Sequence, residues 1–511
     1  MPFASDPYAW VESVARTDPQ RLFLTTPAGL RLTYSGLRAE SDRFAAALTS
    51  LGVVPGDRIA VQVEKSPESV LLYIACLRLG AAYVPINTAN TARDVEYFLV
   101  DAAPRLAVVR PADLAQLAPL ATASGVSCVE TLGACADGSL VERARASLPD
   151  APAPAALAPT ALAAIVYTSG TTGRSKGAML TRGNLASNAA TLAAAWRFTE
   201  RDVLLHALPL FHVHGLFAAI NTVLASGSSI VLLPGFDAAE TLQLLPQATV
   251  FMGVPTYYTR LLQLEALNRA TTARIRLFVS GSAPLLVETH REFEQRTGHV
   301  ILERYGMTET LMNTSNPYEG ARLPGSVGPP LPGVEVRVAD AAGGSVASEP
   351  DATGMLEVRG PNVFAGYWRD AEKTCQEFSA DGWFRTGDLG RIDRNGYVHI
   401  VGRVKDLVIS GGYNVYPKEV EDALDSLPGI LESAVIGVPH PDFGEGVTAV
   451  VVARPGAALS ESAIIKSARE RMAGYKLPKR VLIVDALPRN TMGKVQKNVL
   501  REKYAALFQS A

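Results

Sequence analysis

Cysteine and histidine are scarce in this chain, at four and seven of 511 residues, and neither clusters in the sequence. Cys76, Cys128, Cys135 and Cys375 form no disulfide framework and no CxxC metal site, which suits a reducing cytoplasm and makes them spectator thiols. His212 and His214 stand close together, but no further ligand accompanies them, so a zinc site is not expected. Neither sign of charge is in excess. Lys+Arg number 48 against 50 Asp+Glu, a net charge of -2, so nothing favours nucleic acid as a partner. No uncharged, uninterrupted apolar run reaches the roughly eighteen residues that a membrane-spanning helix needs, so no membrane association is expected. Asp6, Glu12 and Asp18 interrupt the first twenty residues, which therefore do not read as a secretory signal. The expected location is cytoplasmic.

What is plentiful is apolar sequence. Hydrophobic residues make up 48% and charged residues 19%, which excludes gross disorder and allows about two to four domains. From residue 58 a β-rich run (58–63) is followed by a helical run opening at Ser66 and Pro67 and closing at Gly80, then by an apolar run (82–86). This is a βαβ signature. It returns over 203–233, 249–262 and 275–304, and predicts an α/β fold of mostly parallel, helix-covered sheets with ligands bound at the strands' carboxyl ends. The Ala/Pro-rich stretch 148–159 reads as a surface connector. Beyond Asp393 the pattern changes to β-rich pieces (432–438, 447–453, 480–484) around one helical run, 461–472. We therefore expect a large N-terminal domain, 1–392, and a small α+β domain, 393–511.

One segment carries specific chemistry. Tyr167-Thr-Ser-Gly-Thr-Thr-Gly-Arg-Ser-Lys-Gly177 follows an apolar strand. Gly170 and Gly173 let backbone N–H groups turn toward one point, Thr168, Ser169, Thr171 and Thr172 add hydroxyls, and Lys176 adds positive charge. Such a loop suits phosphate. Its spacing does not fit GxxxxGK[ST], which disfavours a P-loop NTPase.

With this loop, the chain resembles the adenylate-forming superfamily of acyl-CoA synthetases, adenylation domains and luciferases. The same order of motifs continues through Gly281-Ser-Ala-Pro284, Tyr305-Gly-Met-Thr-Glu309, Phe384-Arg-Thr-Gly-Asp388, Gly402-Arg-Val-Lys-Asp406, Ser410-Gly-Gly-Tyr-Asn414 and Pro488-Arg-Asn-Thr-Met-Gly-Lys494. The resemblance implies ATP and CoA as substrates and Mg²⁺ as the ion that travels with ATP. It implies that Gly281, Ser282, Ala283, Pro284, Glu303, Tyr305, Gly306, Met307 and Thr308 shape the nucleotide site, that Asp388 accepts the ribose hydroxyls, and that Arg403 approaches ribose or phosphate. Thr168 and Glu309 are the implied Mg²⁺ contacts, hard oxygens of the kind that ion prefers. Lys494 is the implied catalytic lysine, which stabilises charge at the α-phosphate during adenylation and withdraws when the small domain rotates about Asp393. By the same resemblance Ser410, Gly411, Gly412 and Tyr413 border the CoA channel. Lys476, Lys479 and Arg480 either meet CoA phosphates or form a solvated rim. Loss of charge at Lys494 would silence the enzyme, so a lysine acetyltransferase is a conceivable regulator.

Two arginines bear on which acid is activated. Arg260 and Arg304 fall where an acyl pocket is normally apolar, and enclosed guanidiniums call for an anionic partner. The segments around them and around Phe211-His-Val-His-Gly215 are similar to those of malonyl-CoA synthetases, which implies that Arg260 and Arg304 bind the distal carboxylate while His214 and Ser282 position the substrate. Charge-assisted hydrogen bonds are worth about 1.5 to 3 kcal/mol each, so acetate should be a poor substrate. The expected reaction is ATP, malonate or methylmalonate, and CoA giving the CoA thioester, AMP and diphosphate. A ligase for another short acid, an adenylation enzyme loading a carrier protein, and a non-catalytic nucleotide sensor are the alternatives; no carrier domain is expected after Lys494.

Overall fold

The computed structural model describes residues 6–148, 153–168, 175–340, 351–490 and 493–509. The chain divides into two compact units, residues 1–335 with 358–384, and residues 336–357 with 385–511.

The large unit holds two sheets that are mostly parallel. In the first, Leu302–Met307, Leu277–Ser280, Val250–Gly253, Val203–His206, Ser229–Leu232 and Leu22–Thr25 run parallel, with Leu311–Ser315 and Arg31–Thr33 antiparallel at the two edges. In the second, Cys128–Thr131, Leu106–Val109, Arg58–Gln62, Ala82–Pro85 and Leu162–Thr168 run parallel, and Lys176–Thr181 folds back antiparallel beside the last of them. The central strands are buried on both faces, as Val250–Gly253 and Leu277–Ser280 show, and this is why they read as apolar runs without alternation. Their core is aromatic. Tyr258, Phe278 and Phe293 meet edge to face, the contacts of Phe293 being 5.3 and 4.9 Å. The helix Pro67–Leu79 starts and stops as its sequence predicts: Ser66 caps it, Pro67 sits at its first turn, and Gly80 closes it at φ +77°.

In the small unit, Ile430–His440 and Gly444–Ala453 form a long antiparallel pair, with Arg480–Val484 parallel to the latter. The helix expected over 461–472 is shorter, Glu461–Ala468, and it is not alone, because Pro417–Asp425 and Lys497–Lys503 are also helical. Both were hidden by their many charged residues, since the apolar stripe is narrow (Val420 and Leu424 in one, Leu500 in the other) and the first helix also buries the charged Glu421 and Asp425. Residues 153–159 of the Ala/Pro-rich connector are non-helical, and Leu157 lies over Gly80.

Candidate active site

The loop expected to bind phosphate is held at its two ends. Thr168 and Lys176 are opposite each other in the antiparallel ladder, Tyr97 donates its hydroxyl to the Ser175 carbonyl at 2.7 Å, and Tyr167 donates to Asp101 at 2.5 Å. Ser169, Gly170, Thr171, Thr172 and Gly173 lie outside the described residues. Glu309 is buried beneath this ladder, where it accepts from Thr168 Oγ1 at 3.5 Å and from the Tyr367 hydroxyl at 3.1 Å. Burial, and then the Glu309 charge, push the Tyr367 hydroxyl far above its usual range, so it remains a donor. Lys176 lies 5.5 Å from the Tyr367 ring centre, and its ammonium is held below its usual range chiefly by desolvation. Thr168 and Glu309 thus present two hard oxygens side by side, a donor set that fits Mg²⁺ completed by phosphate and water. Among the described residues no group of three metal-ligating side chains exists, so such an ion would enter with the nucleotide.

Gly306 exists for a steric reason. A Cβ there would lie 1.9 Å from the Leu311 carbonyl oxygen, so only glycine lets the hairpin Leu302–Met307/Leu311–Ser315 close and bring Tyr305 and Glu309 onto the same edge. Met307 and Thr308 sit half-buried at its turn. Ser282 adopts φ +72°, an uncommon conformation for a residue with a Cβ and one that concentrates at functional sites. Ala283 and Pro284 follow it toward the surface.

Beside this edge is a buried cationic cluster, where the acid pocket is expected. Arg304 is 3% exposed, and its Nε and Nη2 have no hydrogen-bonding partner among the described residues. Desolvation pushes its guanidinium down to about 9. Glu303, its neighbour, does not neutralise it. Alternation along the strand turns Glu303 to the other face, where its carboxylate meets the Gly325 amide and its carbonyl accepts from Asn316. Arg304 fits only because position 281 is glycine, for a Cβ there would lie 2.5 Å from the guanidinium carbon. His214 is fully buried close by. Its Nδ1 is 3.3 Å from Ser282 Oγ, its Nε2 has no partner, and burial, followed by the Arg304 charge, holds it well below its ordinary pKa. The pocket is therefore a neutral imidazole, a hydroxyl and one uncompensated guanidinium.

Arg260 corrects the expectation of two enclosed guanidiniums, because it is exposed. In the helix Pro255–Leu262 the inward positions are Tyr258 and Leu261, and a helical step of about 100° puts Arg260 some 200° from Tyr258. Sequence spacing alone had not fixed which face points inward.

In the small unit, Asp388 is buried, and its Oδ1 accepts from Arg403 Nε at 2.8 Å across the ladder in which the two residues are register partners. Asp393 sits in a braced turn, accepting from the Asn395 and Tyr397 amides and, at 3.2 Å, from His399. Burial raises its carboxyl, but these bonds outweigh that and hold it below the usual range. Ser410 pairs with Tyr413 around Gly411 and Gly412, both at positive φ, which is the two-residue turn that demands glycine. Tyr413 is exposed and stacks on Tyr475 at 4.8 Å. Lys476 pairs with Glu419 and Arg480 with Glu461, while Lys479 lies over Phe443. Lys494 is exposed at the end of a tight turn in which its amide donates to Asn490 Oδ1 at 2.9 Å.

The sequence reading missed Tyr367, which holds Glu309, and a pair outside every motif, Lys65 and His206. Neither carried a local signal, because each acts through a partner more than fifty residues away.

Residues 11–368 match the AMP-binding enzyme family and residues 419–494 match the AMP-binding enzyme C-terminal domain. The mitochondrial malonate–CoA ligase of Mus musculus is 38% identical over 489 residues, covering 89% of this chain and 83% of that protein. The indoleacetate–CoA ligase of Aromatoleum aromaticum is 34% identical over 505 residues, covering 97% and 98%. The crystal structure of ATP-bound MatB from Rhodopseudomonas palustris is 53% identical and superposes with a TM-score of 0.96 over 99% of both chains. On the ordered motifs, both matched regions and these relatives, the chain belongs to the AMP-binding enzyme family.

Proposed function

We propose that the protein is an acid–thiol ligase that converts malonate to malonyl-CoA. In the first half-reaction a malonate carboxylate attacks the α-phosphorus of ATP, the bond to diphosphate breaks, and malonyl-AMP and diphosphate result. In the second, the CoA thiol gives up its proton and attacks the acyl carbon, the acyl–phosphate bond breaks, and malonyl-CoA and AMP leave. No base is needed on the acid, which is ionised at neutral pH.

Arg304 carries the substrate assignment. A buried guanidinium with two unpartnered nitrogens, next to Ser282 and a neutral His214, requires an anion, and a second carboxylate is the anion a short acid can bring. The likeness to named malonate–CoA ligases supports the same reading. Methylmalonate is a second candidate acid.

The remaining roles follow from the chemistry each residue can do. Thr168 and Glu309 hold the Mg²⁺ that comes with ATP, and the loop from Thr168 to Lys176 holds its phosphates. Gly281 to Pro284 and Tyr305 to Thr308 enclose the adenine, with Glu303 behind them. Asp388 takes the ribose hydroxyls with Arg403 beside it, and Ser410 to Tyr413 meet CoA. Lys494 supplies positive charge in adenylation, and its exposure leaves it open to acetylation. Asp393 is the pivot between the domains 1–392 and 393–511.

The deciding experiment is diphosphate release with CoA present across malonate, methylmalonate, succinate and acetate, in the wild type and in Arg304→Ala. Malonate turnover should fall by about a thousandfold or more in the variant while the small acetate rate stays. An unchanged malonate-to-acetate ratio would reject the pocket.

A further inference from the structure

Lys65 and His206 lie outside every motif, yet they meet at the junction of the two sheets of the large unit. Lys65 follows the strand Arg58–Gln62 of one sheet, and His206 ends the strand Val203–His206 of the other. Lys65 Nζ is 2.8 Å from His206 Nδ1 and 2.8 Å from the His206 carbonyl oxygen. On its far side the imidazole is 2.8 Å from the Gly215 carbonyl oxygen through Nε2. A carbonyl only accepts, so Nε2 must carry the proton. His206 is 1% exposed, and desolvation followed by the Lys65 charge pushes it down to about 3, which makes the ring neutral. Nδ1 is therefore bare and receives the Lys65 hydrogen. The tautomer is fixed from both ends.

The target of this chain of contacts is the substrate pocket. Gly215 is the second residue of the π-helical segment His214–Ile220, a wide turn of a kind that recurs at functional sites. It is wedged in place, since a Cβ on it would lie 2.0 Å from the Pro209 carbonyl oxygen. Its carbonyl, gripped by His206, sets where the preceding residue, His214, stands against Ser282 and Arg304.

We infer that Lys65 and His206 are positioning residues for the acid substrate: Lys65 braces the His206 ring through Nδ1, and His206 anchors Gly215 so that His214 faces the bound carboxylate. This rests on the ligase reading above. Neither residue belongs to the ATP or CoA machinery, so the pair should act on the acid alone.

The variants are Lys65→Met, which keeps the stem and removes the donor, Lys65→Arg, which keeps a cationic donor, His206→Gln, and the double variant Lys65→Met/His206→Gln. Lys65→Met should raise the KM for malonate by about tenfold, the worth of one hydrogen bond, with the KM values for ATP and CoA unchanged. Lys65→Arg should recover part of that loss, and the double variant should be no worse than the poorer single one. A rise in all three KM values together, or additive losses in the double variant, would overturn the inference. Nitrogen-15 spectra of histidine-labelled protein, with His206→Gln assigning the resonance, give a readout free of turnover. The wild type should show His206 protonated at Nε2 with Nδ1 accepting a hydrogen bond, and Lys65→Met should keep Nε2–H while moving the Nδ1 resonance toward that of a free acceptor nitrogen. An unmoved Nδ1 resonance in Lys65→Met would also overturn the inference. Failure of the ligase reading would look different, as a wild type releasing no diphosphate with malonate while the Nδ1 shift persists.

Discussion

At the scale of single residues, Arg304 sets function against stability. Its guanidinium is taken out of water, its Nε and Nη2 meet no partner among the described residues, and burial is what lowers its pKa. The folded state bears that desolvation so that a carboxylate can relieve it. Replacing it with an apolar side chain of similar length should therefore stabilise the empty protein while removing its selectivity. We expect Arg304→Met to raise the stability of the large unit by about 1 kcal/mol or more, measured by denaturant unfolding without substrate, and to abolish malonate turnover. A destabilised variant would mean that the guanidinium is satisfied in solution in some other way. Malonate itself should raise the melting temperature of the wild type and leave that of Arg304→Met unmoved.

At the scale of elements, the hairpin Leu302–Met307/Leu311–Ser315 links both halves of the candidate site. It carries Arg304, to which the acid is assigned in the proposed function, Tyr305, to which the nucleotide is assigned, and Glu309 in its turn. Its closure depends on Gly306, where a methyl group would collide with backbone rather than with a flexible side chain. Gly306→Ala should cost at least about 2 kcal/mol in equilibrium unfolding and lower turnover of every acid together, unlike Arg304→Ala. Much of this was legible in the sequence. Motif order marked the hairpin, the phosphate loop and the glycines because their chemistry is local. The helix Pro255–Leu262 was legible as a helix but not in its rotation, and so Arg260 was expected inside. The helices Pro417–Asp425 and Lys497–Lys503 escaped because they are short and rich in charged residues, some of which, such as Glu421 and Asp425, are buried where a sequence pattern expects apolar side chains.

At the scale of the whole molecule, the two units should answer pH in opposite directions. In the large unit, burial holds His206, His214, His290 and His299 below the ordinary histidine value. An unfolded chain protonates these rings below about pH 6.5 while the native unit keeps them neutral, so its stability is lost as pH falls through that value. In the small unit, burial raises the Asp425 carboxyl to about 7. The native unit then binds a proton that the unfolded chain has already released, so this contribution is present at low pH and is lost as pH rises through about 7. Calorimetry between pH 5 and pH 8 should show one transition climbing with pH and one descending, with the descent flattened in Asp425→Asn. Both transitions moving in the same direction would contradict the assignment. The proposed rotation of the small unit between half-reactions belongs to this scale as well. Lys494→Ala should impair malonyl-AMP formation by about a hundredfold or more and leave thioester formation from supplied malonyl-AMP nearly intact. Equal losses in both steps would assign the lysine elsewhere.

The sequence by itself determined the class of fold, the order of the nucleotide motifs and the kind of chemistry, because strand runs, helix caps, glycine turns and a phosphate-binding loop are written in contiguous residues. Only the tertiary structure decided which charges are enclosed. Arg304 and Arg260 are the same residue type at comparable distances from a motif, and one is sealed beside His214 while the other faces water. Lys65 finds His206 across 141 residues, and Tyr367 finds Glu309 across 58. The reason is physical: desolvation and hydrogen bonding act through space, and the neighbours that set the charge and tautomer of a buried group come together only when the sheets pack.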